Sequence, residues 1–155
     1  MGGPFKNILA AVAGITEPAT GAKDKILESV MERNIRYACE IARLEQSRLT
    51  LIHVVTLPAV VEPGFPIDPK PFEQAGMKIL ENAKKTAKDN GVDVETILET
   101  TYGNPAQKIL RTVEEKKFDL IVVGSRGHGL LRNILIGSVA AQVVRNAPVP
   151  VLVVR

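Results

Sequence analysis

"FDLIVVGSRGHGLLRNILIGSVA", residues 118–140, passes through three kinds of backbone in succession. Residues 118–124 are an apolar run of strand length closed by glycine, which suits a strand buried on both faces. Gly124, Gly127 and Gly129 then crowd together, with Arg126, His128 and Arg132 among and after them. Glycines placed directly after an apolar run mark backbone that turns sharply or approaches something closely. From Ser138 to about Asn146 the spacing becomes helical. Strand, glycine loop, helix is the grammar of a parallel α/β protein, and the rest of the chain repeats it.

Upstream, "NILAAVAG" (7–14) is a first buried strand, and from Lys23 to about Gln46 the residues Leu27, Met31, Ile35, Ala38 and Ala42 recur at helical intervals. "LTLIHVV" (49–55) is a second strand. The segment 56–71 carries five prolines and reads as an irregular excursion, with Val60, Val61 and Phe65 exposed. It is either a connector packed on the domain or a lid or docking loop. A second helix runs from about Phe72 to Asn90 and stops at Gly91, a C-capping glycine. Residues 92–103 form a third, more polar strand suited to a sheet edge. Asn104-Pro105 supplies an N-cap and a first-turn proline for a third helix to about Lys116. Strand 118–124, the helix from Ser138 and a last strand at 149–154 complete five strands and four helices.

This alternation predicts one α/β domain over residues 1–155, a five-stranded parallel sheet with helices on both faces in the Rossmann-like manner. In such sheets a ligand binds beyond the strand C-termini where the winding reverses, which singles out the loops after the first and fourth strands.

Composition narrows the function. The 155 residues are 45% hydrophobic, enough for a core, and the net charge of +3 with 4% aromatics argues against nucleic acid as a partner. The single cysteine, Cys39, lies in an amphipathic pattern, reads as a core residue and fits a reducing compartment. No apolar run reaches the ~20 residues of a membrane span, and "MGGPFKN" has no signal-peptide core, so a cytoplasmic protein without membrane contact is expected.

Gly124 ends a strand, so the loop 124–137 sits on the carboxyl edge of the sheet. Bare glycine backbone and the start of the following helix both present N–H groups, which together can cradle an anion. Ser138 is placed to cap that helix or to bond a phosphate oxygen. Taken alone the loop reads as a phosphate site or as a plain connector. His53, in a buried strand, is expected to be a hydrogen-bonded core residue, whereas His128 is a candidate phosphate contact. The two histidines make no metal site, and a Mg2+ or Mn2+ ion would arrive with a phosphate ligand and not be held by protein ligands alone. The phosphate-gripping GxxxxGK[ST], the nucleophile elbow GxSxG and a dinucleotide GxGxxG after the first strand are all missing. With no evident base or arginine finger, a binding protein is expected over an efficient hydrolase.

The spacing Gly124-x2-Gly127-x9-Gly137-Ser138, preceded by "FDLIVVGSRG" and followed by "VPVLVV", resembles the nucleotide-binding signature of the universal stress protein family. "KNILAAVAG", "LTLIHVV" and "GNPAQKIL" extend the resemblance over nearly the whole chain. It implies a fold akin to the adenine nucleotide alpha hydrolases, with strand order 3-2-1-4-5, and an ATP-binding regulatory protein of the stress response. Gly127, Gly137, Ser138 and Val139 would hold the phosphates, Val123, Gly124 and Arg126 would follow the ribose and phosphate path, and Val54 would flank adenine. The resemblance also implies a homodimer joined through the strand 149–154. One position departs: Ala13 stands where ATP-binding members typically carry an acidic residue. One charged hydrogen bond is worth roughly 1.5–3 kcal/mol, or about one to two decades of affinity. Thr16 and Glu17, in the long loop 14–22, are candidates to substitute for it. The alternatives are a dimeric interaction protein with a vestigial site and a slow ATPase.

Overall fold

The computed structural model describes residues 2–14, 22–58, 64–125 and 136–155. Strands β1 (Asn7–Ala11), β2 (Arg48–Thr56), β3 (Val94–Thr101), β4 (Leu120–Gly124) and β5 (Val151–Val154) alternate with helices α1 (Ala22–Glu45), α2 (Lys70–Asp89), α3 (Pro105–Lys116) and α4 (Ser138–Asn146). The strands form one parallel sheet in the order β3-β2-β1-β4-β5, as expected. Polar β3 lies on one edge and short, apolar β5 on the other.

Side chains alternate across the sheet and so divide the core in two. Ile8, Ala10, Leu49, Leu51 and Val122 meet Ile35, Ala38, Cys39 and Ala42 of α1 and Leu80, Ala83 and Ala87 of α2. Leu9, Ile52, Ile121 and Val123 meet Ala106, Ile109 and Val113 of α3 and Ala140 and Val143 of α4. The apolar stripes read in the sequence are therefore the faces that pack. Cys39 is fully buried, and burial raises its thiol from its ordinary 9.0 to about 11; Arg43 lowers it and Glu40 raises it.

Helix α1 has 24 residues and β1 five, about 36 Å against about 17 Å. Its C-terminal end is fixed at the amino edge of the sheet, where Gly3 N donates to Glu45 O at 3.1 Å and Ser47 Oγ to Phe5 O at 2.6 Å. Its N-terminal turns consequently overhang the carboxyl edge and wall one side of the crevice there.

Five strand limits fall inside the expected strands; β3 ends at Thr101, two residues early, and the other four each have a local reason. β1 ends at Ala11 because the Val12 carbonyl is taken by His53 Nδ1 (2.8 Å) while Val12 N donates to Ile52 O (2.8 Å). β3 starts at Val94 because Val92 N donates to Ala87 O at 3.0 Å, closing α2, with Gly91 at φ +78° donating to Lys88 O at 2.9 Å. Such a left-handed closing residue favours glycine. β4 starts at Leu120 because the Asp119 carboxylate accepts the N–H groups of Lys6 and Asn7. β5 starts at Val151 because Pro150 has no N–H for the ladder. Helix α2 begins at Lys70, two residues early, after Pro69. Within the proline-rich excursion Leu57 is buried and Phe65 is exposed, whereas Val60 and Val61 lie outside the described residues.

Candidate functional site

β1 has β2 on one side and β4 on the other, and the chain winds outward from it in both directions. The switch point is thus the gap between the carboxyl ends of β1 and β4, where Val12 and Ala13 stand beside Gly124 and Ser125. Two backbone bonds shape this gap. Ser125 N donates to Val154 O at 2.7 Å, and Gly137 N donates to Ser125 O at 2.5 Å. The second pins together the two ends of the glycine-rich loop and sets the start of α4 above the end of β4.

Helix α4 starts at Ser138, as expected, and of the two roles open to that residue the cap is excluded. Gly137, at φ −68° and ψ 162°, is the N-cap and its carbonyl accepts Ala141 N at 2.9 Å, so Ser138 is the first helical residue and not the cap. Among the described residues no side chain caps this end, and its first turn holds no acidic residue. Its leading N–H groups and partial positive charge are left for something else to satisfy.

The adjoining helix start is fastened differently. Asn104 Oδ1 accepts Ala106 N at 2.9 Å, capping α3, while Asn104 Nδ2 donates to Gln142 Oε1 one turn into α4. The starts of α3 and α4 are latched side by side on the carboxyl edge. Sequence reading gave the cap but not Gln142, whose partner is far away in the chain.

Val123 is buried in the core beneath α3 and α4, and Ala11, Val54, Ile136 and Val139 pack against that cluster. Three expected site residues, Val54, Val123 and Val139, are therefore gathered on one face, with Gly137 and Ser138 at its rim. Gly124 is turned to the opposite face. A Cβ there would overlap the Asn34 side-chain amide nitrogen, so a close approach by α1 accounts for this glycine. Ala13 is half-buried and lines a small cleft with Ala10, Ala11, Val12, Met31, Asn34, Ile35 and Val122. Asn34 was missed by sequence reading. Its signal is a polar residue inside the apolar stripe of α1, between Met31 and Ala38.

His53 is a buried core residue, as expected, and since a carbonyl only accepts, its Nδ1 carries the proton donated to Val12 O. Arg126, Gly127, His128 and Arg132, and Thr16 and Glu17 of the first loop, lie outside the described residues. Among the described residues no group of three or more His, Cys, Asp or Glu is disposed to hold a metal, and no helix is long and apolar enough to cross a membrane.

Residues 27–155 match the model of the universal stress protein family. Universal stress protein YxiE of Bacillus subtilis is 38% identical over 131 residues, 76% of this chain and 86% of that protein. The structure resembles universal stress protein UspA from Lactobacillus plantarum, at a TM-score of 0.71 and 23% identity over 97% of this chain and 98% of that one. It also resembles the universal stress protein from Archaeoglobus fulgidus in complex with dAMP, at a TM-score of 0.64 and 24% identity over 97% and 98% of the two chains. With a sheet ordered β3-β2-β1-β4-β5 and the matching sequence model, this chain belongs to the universal stress protein family.

Proposed function

We propose that the protein is a regulatory receptor for an adenine nucleotide, ATP in the first place, bound across the carboxyl ends of β1 and β4. The observation that carries this reading is the start of α4. It is pinned over β4 by the Gly137–Ser125 bond and, among the described residues, has no side-chain cap and no acidic first turn. Phosphate oxygens would satisfy the N–H groups of Ser138 and Val139, with the Ser138 hydroxyl as a further donor and Gly127 and Arg126 completing the cradle. Val54, Val123 and Val139 lie on the α3/α4 side of the sheet and Gly124 and Ala13 on the α1 side, so a nucleoside at the carboxyl edge would lie between the two. The binding of dAMP by the Archaeoglobus protein supports an adenine ligand. A divalent cation, Mg2+ or Mn2+, would arrive with the phosphates. Its chemistry would be charge neutralisation, since the described residues offer no cluster to hold it alone.

The reading is one of binding and signalling, with ATP hydrolysis at most slow. β5 is an apolar edge strand whose Val151, Leu152 and Val153 are only partly buried. Pairing of the 149–154 segment with a second copy would cover it and make a two-fold dimer. A cytoplasmic protein acting in the stress response fits these parts.

Ala13 favours a second reading, an interaction protein with an empty site. Calorimetric titration with Mg-ATP separates the two. Micromolar binding by the wild type, lost in Ser138→Glu, supports the nucleotide. A carboxylate at the first turn favours the helix but repels phosphate, so this variant should fold at least as well while binding worse. No heat and no thermal stabilisation at millimolar Mg-ATP would give the site to the second reading.

A further inference from the structure

Asn34 is 8% exposed, and its Oδ1 has no hydrogen-bond partner among the described residues. An orphaned buried carbonyl oxygen is costly, and most such groups in folded proteins find a partner. Its position is specific. α1 carries it against Gly124, into the cleft that Ala13 and Met31 bound at the switch point and that Val122 and Ile35 floor. The cleft has room for about one water-sized group. Its other described lining residues are apolar, so among the described residues Asn34 is its single polar side chain. Ala13 contributes only a methyl group and makes no hydrogen bond with its side chain.

We propose that Asn34 is a specificity-determining residue of the nucleotide site: its Oδ1 accepts one hydrogen bond from the nucleoside, an exocyclic amino N–H of the base or a ribose hydroxyl. This rests on the nucleotide reading and assigns it a contact from α1, a helix that the glycine-rich signature does not include. A carbonyl acceptor selects a donor and rejects a carbonyl or a missing group at the same place, because the buried oxygen is then left orphaned. Asn34 is thereby the polar group that the end of β1, with Ala13, does not supply.

The test crosses two proteins with four ligands. Wild type and Asn34→Leu, which keeps the branched heavy-atom outline without the amide, are titrated with the magnesium complexes of ATP, inosine triphosphate, which lacks the amino group, and 2′,3′-dideoxy-ATP, which lacks both ribose hydroxyls. Inorganic tripolyphosphate is the fourth ligand. Wild type is expected to bind ATP about tenfold more tightly than one of the two analogues, and which one identifies the donor. Asn34→Leu is expected to bind ATP and that analogue alike, with tripolyphosphate binding unchanged. Retained discrimination in Asn34→Leu, or equal weakening of all four ligands, would overturn the assignment. The wild-type comparison alone needs no variant to fold: equal affinity for ATP and both analogues would also overturn it. Tripolyphosphate bound as tightly as ATP would remove this inference and leave the phosphate cradle standing, whereas no binding of any ligand would remove both.

Discussion

Gly124 and Asn34 occupy the same space in turn: the glycine at the end of β4 has no side chain because the Asn34 amide of α1 stands where its Cβ would be. The contact fastens the overhanging part of α1 to the strand that leads into the glycine-rich loop. It also gives the first glycine of the Gly124-x2-Gly127-x9-Gly137-Ser138 spacing a packing role independent of any ligand. Gly124→Ala should force Asn34 from its position and lower stability by about 1–3 kcal/mol. Urea unfolding of Gly124→Ala, Asn34→Ala and the double variant measures this. The double variant should lose clearly less than the sum of the single losses, since Asn34→Ala vacates the contested space. Strict additivity would show that the two residues do not compete.

His53 holds the other wall. Its Nδ1–H bond to Val12 O, with the Val12 N to Ile52 O bond, fixes the backbone just before Ala13. His53→Phe keeps a ring in the core and leaves the Val12 carbonyl unpaired, at a cost of about 1–3 kcal/mol. The loss should be local as well as global. Hydrogen exchange at Ala13 and Gly14 should quicken more than at Leu9, in the middle of β1. A uniform change along β1 would mean that His53 contributes only packing.

The fold was legible because its signals are local and repeated. Buried strands read as apolar runs, and the helix stripes Ile35, Ala38, Ala42 and Ile109, Val113 are the residues that pack. Turn chemistry at Asn104-Pro105 and Gly91 placed two helix ends within a residue or so. The strand limits were less legible, because they depend on partners remote in sequence, such as His53 for β1 and Asp119 for β4. The same applies to the site. Glycine spacing and the position after β4 marked the loop, while Asn34 and Gln142 acquire their meaning only when α1 meets Gly124 and α4 meets Asn104. The helical cap at Gly137 in place of Ser138 turns on one carbonyl bond to Ala141, which no residue type announces.

Asn104 joins the starts of α3 and α4, and its two functions are separable. Asn104→Asp retains the oxygen that caps Ala106 N but loses the N–H donated to Gln142, whereas Asn104→Ala loses both. Asn104→Ala should cost about 1 kcal/mol from the cap alone, plus the link. Asn104→Asp should keep most of the stability and place two acceptors, the new carboxylate and Gln142 Oε1, against each other. If α4 is positioned through this link, Asn104→Asp should weaken Mg-ATP binding more than it lowers the melting temperature would suggest, and Gln142→Lys in the same chain should restore part of it. Unchanged affinity in Asn104→Asp would confine the residue to capping α3.

Cys39 gives the protein an alkaline limit. In the folded chain its thiol is raised from 9.0 to about 11, chiefly by burial, with the opposing effect of Arg43 and the smaller one of Glu40 beside it. The unfolded chain therefore releases this proton first as pH rises, binds fewer protons than the folded chain between about 9 and 11, and stability falls with pH across that window. The contribution is complete below pH 9 and lost above 11, on the order of 2 kcal/mol in all. Lysines and tyrosines titrate in the same range, so the informative quantity is the difference between wild-type and Cys39→Ala unfolding curves. That difference should be constant up to pH 9 and then move by the stated amount in favour of the variant. The same burial keeps the thiolate scarce, so a disulfide reagent at pH 8 should react with Cys39 only at the rate at which the core opens, and about stoichiometrically once urea unfolds the chain. Rapid reaction in the native state would place the thiol at the surface and remove the alkaline effect with it.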